Sequence, residues 1–248
     1  MLCKLCQKDK TLLRKSHIIP DFMYKGLYTD DHEMFVISSN GTSKTRIVHT
    51  GVYESNILCK NCDNSIIGDC ENYVHTILFG GTNLKEDKSL YYQFEKTFKD
   101  EKLWCFSNLD YALFKIFLLS IFWRISISSR PNYLDISLGT HEETIRKMIL
   151  DRNPLGEDDY PCMIRSCINA TQVPEHFIGP PHHSTVKPET PITIYIAGLF
   201  YRLYLSKSIR SGFHSSEAIS QVGEIRIPEL PNEECKKYFE HFTGFKLT

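Results

Sequence analysis

Two Cys-x-x-Cys pairs constrain this chain more than anything else in it. Cys3-Lys-Leu-Cys6 opens the sequence, and Cys59-Lys-Asn-Cys62 follows after a long interval. Together they supply four thiolates, the tetrahedral set that structural zinc prefers. For all four to meet on one ion, the chain between the pairs must fold back on itself. The other reading is that one pair is a redox dithiol, or that the cysteines simply fill a core. A redox Cys-x-x-Cys belongs in a thioredoxin-like βαβ pattern, and no such pattern surrounds either pair. The cysteines number nine, an odd count that argues against a secreted disulfide framework and for metal in a reducing compartment. Cys162 and Cys167 have no metal-like spacing and read as small core residues.

Charge narrows the range of partners. Lys and Arg total 29 against 30 Asp and Glu, so there is no global basic field and any nucleic-acid surface has to be local. Lys8, Lys10, Arg14 and Lys15 form such a patch near the N-terminus. The chain opens Met-Leu-Cys-Lys-Leu-Cys rather than with a basic start and an apolar run, so no signal peptide is expected. Its longest apolar segment, Ile116–Trp123, is too short to span a bilayer. The expectation is a cytoplasmic protein without a membrane partner. Walker A, Gly-x-Gly-x-x-Gly and Gly-x-Ser-x-Gly sequences do not occur, which leaves nucleotide hydrolysis, a Rossmann cofactor and α/β-hydrolase chemistry without support.

The pattern of apolar residues predicts an α+β fold with a small N-terminal metal module (1–80), a connector (81–105) and a larger mixed helical and β domain (106–248). A helix is predicted over Asp69–Leu78, stopped by Gly80-Gly81. A second, over Leu109–Ile127 with Asn108 or Ser107 as its cap, is too densely apolar for a surface helix. Thr140-x-x-Glu143 reads as a capping box for a helix to about Asp151. Strands are expected at Met163–Ile168, Ile192–Ile196, Leu199–Leu205 and Glu224–Ile227, with a closing helix over Asn232–Phe242. His176 and the His182-His183 pair lie in a proline-rich stretch, and plain loop residues explain them better than metal ligands do.

Between the cysteine pairs lies Ser16-His17-Ile18-Ile19-Pro20, and Asn56-Ile57-Leu58 runs directly into Cys59. This combination resembles the zinc-stapled, treble-clef branch of the HNH endonucleases, members of the His-Me finger or ββα-metal group. The resemblance covers residues 1 to about 75, and the whole chain is more loosely similar to uncharacterised bacterial proteins with a Ser-His-Ile-Ile-Pro box. It implies a metal-dependent endonuclease that hydrolyses phosphodiesters, in DNA rather than RNA. Heads of this kind are common in mobile elements and anti-phage defence. By the same resemblance His17 is the general base and Asn56 holds its imidazole. Asp63 binds a catalytic Mg²⁺ or Mn²⁺, while zinc on Cys3, Cys6, Cys59 and Cys62 sets the spacing. Lys8, Lys10, Arg14 and Lys15 lie against the phosphate backbone, and residues 106–248 select the substrate, bind a protein partner or self-associate.

Two positions depart from the family pattern. Ser16 stands where the family carries Asp or His as a metal ligand, and Asp63 where a histidine follows the second cysteine pair. Glu71 and His75, further along the same helix, are candidate replacement ligands; Asp69 is a weaker one. Each residue also admits a plainer role. His17 fits a hydrogen-bonded core histidine, Asn56 a turn or helix cap, Asp63 a helix first turn, and the basic patch a solvated surface. The alternative to an enzyme is a non-catalytic treble-clef module that binds nucleic acid or a protein. Arg124, inside the long helix, is expected to snorkel or to pair with a buried acid.

Overall fold

Short ladders and turns carry the chain from its start to the second cysteine pair. The computed structural model describes residues 1–37, 45–79, 92–96, 102–174, 176–183, 191–205, 217–244 and 246–247. Its first strands are Ser16–His17 (β1), Met34–Ile37 (β2), Thr45–Val48 (β3) and Tyr53–Glu54 (β4). β2 and β3 pair with each other, while β1 pairs antiparallel with β4 so that Ser16 faces Glu54 and His17 faces Tyr53. Ser16 and Glu54 are buried and His17 and Tyr53 are partly open, the alternation expected of a strand pair with one face on the core. Ile18 and Ile19 are fully buried beyond His17, and a 3₁₀ turn over Asp21–Leu27 follows Pro20.

A π-helical turn over Cys62–Ile67 runs without a break into Gly68–Phe79 (α1). The helix predicted from Asp69 thus has a wider first turn than an α-helix, a local irregularity common at functional sites. The Gly80-Gly81 stop lies outside the described residues. Segment 81–105, expected as a connector, contributes Tyr92–Lys96 (β5) and Lys102–Phe106 (β6) to a sheet.

The remaining elements are Tyr111–Ser126 (α2), Glu142–Asp151 (α3), Cys162–Ser166 (β7), His182–His183 (β8), Ile192–Ile196 (β9), Leu199–Leu203 (β10), Ile225–Pro228 (β11) and Asn232–Thr243 (α4). Together with the N-terminal elements they make a mixed α+β protein. β7, β10, β9 and β8 form an antiparallel sheet in that order, and β11, β6 and β5 form a second. Every residue of β7, β9 and β10 is buried, because both faces of that sheet are covered. Ile192, Ile194, Ile196, Leu199, Tyr201 and Leu203 join the cluster that contains α2. The alternate residues Tyr195 and Phe200 pack with Phe239 of α4, with Tyr195 and Phe239 ring centroids 5.5 Å apart. Cys167 forms a disulfide with Cys235 of α4, so it is not the lone core thiol expected; Cys162 is buried and free.

Helix α2 is the axis of the structure. All residues from Phe114 to Ile125 are buried, two of them charged. Its cap is Asp110, whose carboxylate accepts from the Leu113 amide at 2.9 Å; the expected Asn108 instead adopts a left-handed conformation. The capping box expected at Thr140 does not form, because a 3₁₀ turn precedes α3 and Glu143 pairs with Arg146 instead. The Lys115 ammonium donates to Tyr111 Oη and to the Gly156 and Asp159 carbonyls, which makes its burial tolerable. One hydrophobic cluster runs from Cys3 and Leu5 through α1 and α2 to Ile225 and Ile227, so the module expected at 1–80 shares its core with the C-terminal two thirds of the chain. Among the described residues no helix is long and apolar enough to cross a membrane.

Candidate metal centre and histidine site

Backbone hydrogen bonds bring the two cysteine pairs together. The Cys3 amide donates to the Lys8 carbonyl and the Gln7 amide to Cys3, with Gln7 left-handed at φ 53° to close the knuckle. The Lys4 amide donates to Ile57 and the Leu13 amide to Leu58, which lays the first knuckle against the second. The Cys59 amide then points at Cys3 Sγ, 3.3 Å away. As a result the four sulfurs of Cys3, Cys6, Cys59 and Cys62 all lie within 4.8 Å of one another. Burial raises the Cys62 thiol well above its ordinary pKa, and the neighbouring Cys59, Cys3 and Cys6 raise it further. Crowded thiols of this kind ionise readily only around a cation, and four sulfurs suit zinc. This is the metal-competent group among the described residues, and it can hold a structural zinc ion. His182 and His183 belong instead to strand β8, where the His182 ring packs edge-on to His241.

The second knuckle leads straight into the acidic side of a different cluster. Asp63 is the residue after Cys62, in the first π-helical turn. Burial pushes its carboxyl pKa up, against the pull of Arg124, the Ser16 hydroxyl and His17. Two turns along, Glu71 is shifted in the same direction by burial, opposed by Arg124 and His17 and reinforced by Asp63. These mutual influences define one constellation of imidazole, two carboxylates and a guanidinium. Ser16 is fully buried beside it, with its hydroxyl directed to Asp63.

Arg124 holds this constellation together. It is 1% exposed, donates to the His17 carbonyl at 2.8 Å and meets Glu71 Oε1 at 2.7 Å. Its remaining donors go to Ser120, one turn back on α2. Sequence reasoning allowed for a buried acid as its partner but did not link it to His17. Nothing local signals a contact between residues 107 positions apart. The candidate ligands therefore separate: Glu71 is engaged by Arg124, and His75 is stacked on Phe22 with centroids 4.7 Å apart. Asp69 is paired with Arg152.

The His17 side chain is 30% exposed, with Nε2 3.5 Å from Asp21 Oδ1 and 3.4 Å from Thr50 Oγ1. Both distances are long for hydrogen bonds. Asp21 lies four residues on and was legible as a neighbour; Thr50 was not. Asn56, expected to hold the ring, is exposed, and no hydrogen bond joins it to His17 among the described residues. It sits at φ 60° with its amide on the Leu13 carbonyl. Its type follows from the turn, since asparagine tolerates left-handed backbone better than most residues. Lys8, Lys10, Arg14 and Lys15 are all exposed, and Lys15 approaches the Tyr53 ring. A cavity of about 710 Å³ opens elsewhere, between the Asp21–Leu27 turn and the sheets, lined by Phe22, Trp104, His176 and Leu199 among others. Neither His17 nor Asp63 reaches it.

Set against known proteins, the chain matches no family model, no curated protein and no solved structure.

Proposed function

We propose that this protein is a metal-dependent endonuclease that hydrolyses phosphodiester bonds in nucleic acid, with DNA as the preferred substrate. The observation that carries the reading is a half-open imidazole on a short strand pair, within electrostatic range of the acidic residue that directly follows a four-sulfur cluster. In this reading zinc on the four cysteines is structural, and it keeps β1 in register with the start of the helix.

His17 takes a proton from water as the water oxygen bonds to phosphorus; the bond from phosphorus to the leaving oxygen breaks, and that oxygen is protonated in turn. Imidazole suits the first transfer because it titrates near neutrality. Thr50 and Asp21 flank Nε2 and limit the ring's swing, while Arg124 fixes the backbone that carries it. Asp63, with the Ser16 hydroxyl beside it, is the donor set for Mg²⁺ or Mn²⁺, hard cations that favour oxygen. Such an ion, when bound, polarises the phosphate and stabilises the leaving oxyanion.

A second reading, a non-catalytic zinc module that binds nucleic acid or a protein, is favoured by the Arg124–Glu71 pair, which leaves Asp63 as the one carboxylate of the two without an ion pair among the described residues. Plasmid DNA incubated with purified protein and Mg²⁺ or Mn²⁺ separates the two. Nicking that disappears in a folded His17→Ala variant supports the nuclease; binding without cleavage under either ion supports the module.

A further inference from the structure

The ladder that carries His17 also carries an arrangement that the cysteine and histidine motifs do not explain. Tyr53 is the direct antiparallel partner of His17, so their side chains emerge on the same face of the pair. Two cations converge on its ring. Lys15 Nζ lies 5.0 Å from the ring centroid, and the Arg130 guanidinium, from the segment after α2, lies 5.4 Å from it. Both distances are within cation–π range.

Arg130 is anchored rather than loose. Its Nε and Nη2 both donate to the Tyr53 carbonyl, the first at 2.8 Å. Glu54 Oε1 stands 3.8 Å from Nε, but that carboxylate already accepts from the Ser128 hydroxyl and from the Ser129 amide and hydroxyl. Lys15 is exposed and has no ion pair among the described residues. The Lys15 charge is therefore open to an outside anion, and the Arg130 guanidinium, shared with Glu54, adds to the positive potential on the same ring.

We infer that Lys15, Tyr53 and Arg130 form a binding site for the phosphodiester backbone of a nucleic-acid strand, directly beside His17. The inference rests on the proposed nuclease reading for its choice of polyanion. It adds two residues, Tyr53 and Arg130, that the N-terminal basic patch does not include, and it gives the chain beyond α2 a direct contact with substrate. The two cations neutralise backbone phosphates next to the one that faces the imidazole. The ring sets their spacing.

Binding is measured on the full chain carrying His17→Ala, without divalent metal so that cutting does not interfere, by fluorescence anisotropy of labelled duplex DNA, single-stranded DNA and duplex RNA over a range of salt. Each phosphate contact adds about 0.9 to the slope of log affinity against log salt on duplex DNA. Lys15→Gln and Arg130→Gln are each expected to lower that slope by about one, and Arg130→Lys to restore it. Lys147→Gln, a cation on α3, is expected to leave the slope unchanged. If Arg130→Gln does not fold, Lys15→Gln decides alone, because Lys15 is exposed and its side chain has no ion pair or hydrogen bond among the described residues.

Unchanged slopes in folded variants, or no binding to any of the three nucleic acids, overturn the site. The strand form that shows the largest slope change identifies the substrate. The site and the cleavage proposal can fail separately. A wild-type chain that cuts while the slopes stay constant removes this site and keeps the nuclease. One that binds with lowered slopes in the variants, yet never cuts, does the reverse.

Discussion

The sulfur cluster and the histidine constellation share a boundary at Cys62 and Asp63, yet they are assembled by different means. The two cysteine pairs are joined to each other by hydrogen bonds among residues 3–59, with Arg146 of α3 adding one to the Leu5 carbonyl inside the first knuckle. The histidine constellation takes its guanidinium from α2, more than a hundred residues downstream. A metal cluster tolerates this economy because four sulfurs and one ion contribute most of the organising energy. An imidazole beside two carboxylates is held instead by a buried, hydrogen-bonded counter-charge from the protein itself. The first site is joined mainly by contacts within the first sixty-odd residues, and the second takes its central charge from α2.

The strongest way to break the comparison is to remove the element common to both. Cys59→Ser is expected to abolish zinc content, about one ion per chain in the parent, together with cooperative unfolding of the N-terminal third, read by metal analysis and by thermal denaturation. Retention of the metal by a folded variant would show that the four sulfurs do not act as one site. His17→Ala touches only the second region. Cleavage is expected to fall by about 10²- to 10⁴-fold, with zinc content and melting temperature held.

Arg124→Met tests whether the second region depends on α2. It leaves Glu71 without its partner and frees the His17 carbonyl, at a cost of roughly 3–5 kcal/mol, while the zinc stays bound. A loss of zinc in the folded variant would mean that the two regions are not separable.

Glu54 sharpens the comparison from the buried face of the β1–β4 pair. Burial works to raise its pKa, but the hydrogen bonds from Ser128 and Ser129 and the charge of Arg130 outweigh it, so the folded value lies below the ordinary one. Its contribution is therefore present above the unfolded carboxylate pKa and is lost as pH falls through the folded value. Glu54→Gln is expected to cost about 1–2 kcal/mol at neutral pH. The gap from the parent should close in acid, as seen by denaturant titration across pH. A constant gap would show that the clamp does not depend on the carboxylate charge.

The smallest effect is expected at Asn56. Asn56→Gly should be nearly neutral and Asn56→Ala should cost about 1 kcal/mol, because the position is left-handed. Cleavage should be unchanged in both. Loss of cleavage in the glycine variant would restore Asn56 as a support for the ring.

The sequence by itself determined what local patterns can specify. The two Cys-x-x-Cys spacings identify a thiolate set, and the β-branched and aromatic runs and the dense apolar run predict β9, β10 and α2 close to where they lie. Residue type and the spacing of donors are short-range properties, and short stretches of chain carry them completely. The finer assignments needed contacts that no short stretch contains. Asp110 rather than Asn108 caps α2, because which residue can reach the free amides depends on the path by which the chain enters the helix. Asn56 follows from a backbone turn and not from the imidazole. The pairing of Cys167 with Cys235 and the role of Tyr92–Lys96 and Lys102–Phe106 as sheet strands likewise depend on which distant segments meet. The same holds for the two residues that complete the His17 surroundings from a distance, Arg124 and Arg130. Tertiary structure alone places them, since the energy that holds a buried charge comes from partners elsewhere in the chain.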